Sequence, residues 1–111
     1  MPPAKQLSRA DEILLICIVV LGEDAYSTTI RQELVSRAKK KVTVGSLWVS
    51  LDQLAERAYI RKRTAKGEKK QGGRPRVYYR LTPKGIRILE RTKEYQKNLW
   101  KDMPSLKEYS S

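Results

Sequence analysis

Apolar residues recur along this chain in three short stripes, then in one alternating run, then in a longer stripe. Capping residues punctuate the breaks. The first stripe is the dense run Ile13–Leu21, ILLICIVVL. Ser8 precedes it with Asp11 three residues on, a capping-box-like start, and Gly22 follows at a favourable C-cap position. The pattern predicts a fully buried helix over residues 9–21. The run is too short to cross a bilayer, which takes about 20 residues. Asp11 and Glu12 also stand where a secretory leader carries positive charge, so the run reads as core.

Ser27, Thr28 and Thr29 are three candidate caps for a second helix ending near Arg37, with Ile30, Leu34 and Ala38 on one face. Lys39, Lys40 and Lys41 close it, either complementing the helix dipole or meeting phosphate. Thr43 caps a third helix over about residues 44–57, with Leu47, Leu51 and Leu54 as its core stripe, extended by Val44 and Ala58. The other face carries Gly45, Ser46, Val49, Ser50 and Gln53, small or neutral residues in place of a charged surface. Such a face can lie against base edges in a major groove.

Residues 59–63 then read as a strand and 76–81 as its partner. Val77, Tyr79 and Leu81 alternate onto one side, Arg76, Tyr78 and Arg80 onto the other. The loop between them holds Gly67, Gly72, Gly73 and Pro75. Thr82-Pro83 starts a fourth helix reaching about Lys101, and Pro104 stops it ahead of a frayed tail.

Three helices, a hairpin and a long helix make a mostly α chain with a small β-hairpin: a winged helix-turn-helix with a C-terminal dimerisation helix. The expected division is a winged-helix domain over 1–82 with its wing at 59–81, a dimerisation helix over 83–103, and a flexible tail over 104–111. A protruding helix with an apolar stripe needs a partner to cover it, and a second copy is the simplest. The stripe comprises Ile88, Thr92, Tyr95, Leu99 and Met103, with Leu89, Gln96 and Trp100 nearby.

Charge sharpens this picture. The chain carries a formal net charge of +12 in 111 residues. Residues 61–80, RKRTAKGEKKQGGRPRVYYR, hold nine Lys and Arg against the single acid Glu68. Two-thirds of the excess therefore falls on the wing, where phosphates would be met. Gly73-Arg74-Pro75 resembles the centre of an AT-hook, whose Arg enters a narrow minor groove. A turn with a phosphate-binding Arg is the plainer alternative.

Composition narrows the chemistry. Histidine is absent and Cys17 is the sole cysteine, which removes imidazole bases, His-ligated zinc and internal disulfides. Cys17 lies in the apolar run and reads as a small core residue. No cofactor, metal or catalytic constellation is expected, and a cytoplasmic location suits the lone thiol.

The chain resembles the PadR family of transcriptional regulators. The matching segments are residues 21–26 (LGEDAY), 42–48 (VTVGSLW), 51–54 (LDQL), 72–82 (GGRPRVYYRLT) and 83–85 (PKG). The resemblance implies a homodimeric winged-helix protein that binds operator DNA, usually as a repressor, and dimerises through the helix after the wing. There are departures. Ser27 follows Tyr26 where the family has Gly, Trp48 stands where it has Tyr, and Ala58 stands where the recognition helix usually ends in Gly. Trp48 fits either a phosphate-facing indole or the core. Some family members bind phenolic acids or flat drugs between the dimer's helices. Tyr95 and Trp100 would either line such a site or simply pack, and no specific aromatic effector is predicted.

The candidate contacts to double-stranded DNA are Thr28, Lys41, Thr43, Gly45, Ser46, Trp48, Val49, Ser50 and Gln53 on the helical part. On the wing they are Arg61, Arg63, Lys70, Arg74, Arg76, Tyr78 and Arg80. The candidate dimer contacts are Ile88, Leu89, Thr92, Tyr95, Leu99, Trp100 and Met103. The competing reading is a winged-helix module that binds nucleic acid without sequence preference or docks another protein.

Overall fold

The computed structural model describes residues 7–65 and 76–110. These run as α1 (Arg9–Leu21), α2 (Ser27–Ala38), α3 (Val44–Glu56), β1 (Ile60–Ala65), β2 (Arg76–Leu81), α4 (Pro83–Trp100) and α5 (Leu106–Tyr109). A 3-10 turn at Gly22–Asp24 joins α1 to α2. The hairpin is antiparallel, with Ile60 opposite Leu81 and Ala65 opposite Arg76. Beyond Pro104, where a frayed tail was expected, α5 forms a single exposed helical turn.

Side-chain caps set three of the helix starts. Ser8 Oγ accepts from Asp11 N at 3.1 Å, Thr43 Oγ1 from Ser46 N at 3.1 Å, and Thr82 Oγ1 from Gly85 N at 3.0 Å. The start of α2 differs from expectation, because Tyr26 takes the N-cap position ahead of Ser27, Thr28 and Thr29. Thr29 Oγ1 instead accepts from Tyr26 N at 3.0 Å. The cause is an isolated bridge from the segment before α2 to β2. Tyr79 N donates to Ala25 O at 2.8 Å and Tyr26 bridges Tyr78, so the chain is extended until it leaves β2.

Leu14, Leu15, Cys17 and Ile18 of α1, Ile30 and Leu34 of α2, and Leu47, Leu51 and Leu54 of α3 form the core. Ile60, Tyr79 and Leu81 close it from the hairpin. Two expectations fail at its edges. Helix α1 is not buried all round, since Val19 and Val20 are 55% and 50% exposed. Nothing among the described residues covers that side. The α3 stripe also stops short of its expected ends. Val44 is exposed, and Ala58 lies beyond the helix with φ of 64°.

The exit of α3, the base of the wing and the start of α4 meet at one joint. Thr82 N donates to Tyr59 O at 3.0 Å, and Thr82 Oγ1 donates to Ala58 O at 2.5 Å. Lys84 Nζ donates to Arg57 O at 3.0 Å. Gly85 is buried against the same strand entry, and a Cβ there would lie 2.0 Å from Tyr59 O. Beyond the joint, α4 lies along α1. Ile88 and Leu89 pack against the core, and Gln96 Nε2 donates to Oε1 of the buried Glu12 at 2.9 Å.

Gly85→Ala should cost about 3 kcal/mol or more, because the methyl meets backbone and no flexible side chain can yield. Ala58→Gly should stabilise by about 0.5–1 kcal/mol, since the left-handed strain removed exceeds the entropy Gly adds to the unfolded chain. Urea unfolding midpoints check both, and a neutral Gly85→Ala contradicts the joint.

Three groups bear on stability at alkaline pH. Burial pushes the Cys17 thiol and the Tyr79 phenol up. The hydrogen bond to Asp52 raises the Lys62 ammonium. The folded chain thus keeps protons that the unfolded chain releases, and stability falls as pH rises. The decline should begin near the ordinary thiol value of 9.0, and a midpoint constant from about pH 8 to 11 contradicts it.

Candidate nucleic-acid interface

With Leu47, Leu51 and Leu54 turned inward, helical geometry turns Gly45, Val49 and Gln53 outward. Ser46 is exposed on one flank and Ser50 is half-buried. Trp48 is 54% exposed, which resolves its two readings in favour of the surface. A Cβ at Gly45 would meet nothing within 4 Å, so the front of α3 is open. No carboxylate occurs from Thr43 to Leu51. The first acid, Asp52, is held by a hydrogen bond from Lys62 Nζ of β1. The helix therefore presents a neutral, hydrogen-bonding face with its positive N-terminal end leading.

The turn before α3 is fixed by Arg31, whose Nε donates to Val42 O at 3.2 Å. Thr28, Lys41 and Thr43 are all exposed around it.

The hairpin divides the wing residues between two faces. Register pairs Arg61 with Arg80, Arg63 with Tyr78, and Ala65 with Arg76, so these share one side. Lys62 lies on the other, reaching Asp52 of α3. The candidate residues Arg61, Arg63, Arg76, Tyr78 and Arg80 thus lie on the face away from α3. Lys70 and Arg74 lie outside the described residues.

That outer face is organised by ring contacts. The Arg76 guanidinium sits 4.2 Å from the centre of the Tyr26 ring, and Tyr26 meets Tyr78 edge to face at 5.6 Å. Arg63 lies 4.8 Å over Tyr78. Such contacts hold the long cations extended with their charge outward. Glu23 approaches Arg80 at 3.6 Å and Arg63 at 4.0 Å, all largely exposed. Sequence reasoning missed Glu23 and Tyr26, and it grouped Lys62 with the phosphate-seeking Arg61 and Arg63, whereas the structure turns it to the inner face and ties it to Asp52. The strand alternation carried a signal for Lys62, which sits among core-facing positions and requires a partner on α3.

Residues 15–91 match the family described as Transcriptional regulator PadR-like family. The chain belongs to it. A PadR family regulator from hypervirulent Clostridium difficile R20291 is 24% identical over 82% of this chain and 91% of its own, with a TM-score of 0.65. A PadR-like transcription factor from Bacteroides fragilis is 28% identical over 79% of this chain and 81% of its own, with a TM-score of 0.64. F93 from STIV, a winged-helix DNA-binding protein, is 23% identical over 90% of this chain and all of its own, with a TM-score of 0.68. The comparison with curated proteins found no match.

This PadR-like chain thus belongs to a family of transcriptional regulators and has the winged-helix fold. Among the described residues, no helix is long and apolar enough to cross a membrane, and no three His, Cys, Asp or Glu side chains gather as metal ligands. A groove of about 730 Å³ runs between the outer wing face, α1 and α4. Val19, Ile86 and Leu89 lie within it, and Arg61, Arg80 and Glu90 add charge.

The dimer candidates fall into two sets. Ile88, Leu89 and Thr92 are half-buried within the chain, whereas Tyr95, Leu99, Trp100 and Met103 are exposed at 49%, 57%, 61% and 47%.

Asp52 is the acid nearest the neutral face. Asp52→Asn should change stability by less than about 1 kcal/mol, as for exposed ion pairs. It should also tighten duplex binding severalfold at low salt, by removing a negative charge and releasing Lys62 toward phosphate. Unchanged or weaker binding in a salt titration contradicts that placement.

Proposed function

We propose that the protein is a dimeric repressor that recognises a pseudo-palindromic operator, with α3 in the major groove and the basic wing on the backbone or in the minor groove. It acts in the cytoplasm. The observation that carries this reading is the outward face of α3, with Gly45, Ser46, Val49 and Gln53 exposed and no carboxylate before Asp52. A helix serving only as a solvated surface has no need of such a face, and charged side chains would suit it better. The wing supplies affinity that depends little on sequence, and α3 supplies preference.

Dimerisation uses the distal half of α4. Tyr95, Leu99 and Trp100 near the end of this polar helix, and Met103 just beyond it, leave large apolar side chains exposed, which a second copy would cover. Two α3 helices related by a two-fold axis then meet two half-sites.

Selection from random duplexes should return a dyad motif bound ~1,000-fold or more above random DNA at physiological salt. Ser46→Ala or Gln53→Ala should change the preferred sequence, whereas Arg76→Ala should weaken all duplexes and reduce the salt dependence. Recovery of sequences without a dyad would favour the module without sequence preference. In sedimentation, Leu99→Glu with Trp100→Glu should convert a dimer to a folded monomer, because neither side chain is part of the core. A dimer that survives both changes removes the role given to α4.

A further inference from the structure

We infer that Val49 is a specificity-determining residue that reads the C5 methyl group of a thymine in each operator half-site. This rests on the placement of α3 in the major groove proposed above. Val49 is 58% exposed, at the centre of the outward face and one turn after Gly45. The side chain contributes little to the fold. A β-branched residue is also a poor choice for an exposed helical position, where its stiff side chain lowers helix propensity. A single exposed valine is unremarkable on most surfaces, but here its surroundings are selective.

Gly45 presents no side chain, and the space in front of it is open to 4 Å, so the first turn of α3 can approach the floor of a groove closely. Ser46, Ser50 and Gln53 line one flank of Val49 with neutral donors and acceptors. Asp52, the nearest acid, is tied to Lys62 of the wing. Trp48 lies toward the flank of Asp52, one helical turn before it, and so toward the wing side.

An isopropyl group can neither donate nor accept a hydrogen bond. Among the major-groove edges of the four base pairs, the apolar feature it can distinguish is the thymine methyl. Gln53, one turn further on, carries the amide that pairs with adenine N6 and N7, so a half-site with adjacent A·T pairs suits the face.

The test uses the full-length protein and its selected site, with each thymine replaced in turn by deoxyuridine, which lacks only the methyl. Wild type should lose about fourfold in affinity per half-site at one position, the value of one buried methyl. Val49→Ala, which leaves the core untouched, should be indifferent to uracil at that position. Wild type indifferent to uracil everywhere, or a Val49→Ala variant as sensitive as wild type, overturns the inference while sequence-specific binding stands. A chain that binds every duplex alike overturns both this and the reading beneath it.

Discussion

The contact between Gly85 and the backbone of Tyr59 is the constraint on which the rest of the structure depends. A side chain at residue 85 would occupy the space of the Tyr59 carbonyl oxygen, so α4 packs directly on the strand entry. The same carbonyl accepts from Thr82 N, and the Thr82 hydroxyl serves both ends of the joint. It donates to Ala58 O and accepts from Gly85 N. Within a few ångströms, the joint sets how α3 leaves the core, where the wing begins and in which direction α4 projects. The proposed dimer, with two recognition helices at a fixed spacing, would need that angle held, and here backbone groups hold it.

Electrostatics divides labour between the elements so positioned. Positive charge is concentrated on the wing, where ring contacts from Tyr26 and Tyr78 hold Arg76 and Arg63 extended. The α3 face is almost uncharged and its one nearby acid is tied to Lys62. Phosphate attraction is long-ranged and indifferent to sequence, whereas hydrogen bonding and methyl contact act at close range. In the proposed reading, keeping the two on separate elements would let the chain find DNA with one and discriminate with the other.

Much of this was legible in the sequence. The leucine stripe of α3, the caps Ser8, Thr43 and Thr82 and the span of β2 follow from local rules of spacing and hydrogen bonding, and the structure bears them out. What escaped was set by distant contacts. Tyr26 displaces three better capping residues because its backbone is claimed by β2. Val19 and Val20 are exposed in a run that reads as wholly core, because burial depends on what crosses α1 and not on hydrophobicity alone. For the candidate site, the sequence offered a set of residues but not their geometry. Alternation grouped Arg76, Tyr78 and Arg80, yet only the Lys62–Asp52 link shows that their face points away from α3.

Amide hydrogen exchange tests the joint most directly. If the contact at Gly85 organises the fold, the amide protons of Tyr59, Thr82 and Gly85 should exchange only through global unfolding, at the same free energy as the core amides of Leu51 and Leu54. Exchange of Thr82 and Gly85 at the lower free energy of the α4 end near Trp100 would show α4 hinging locally, and would contradict the account.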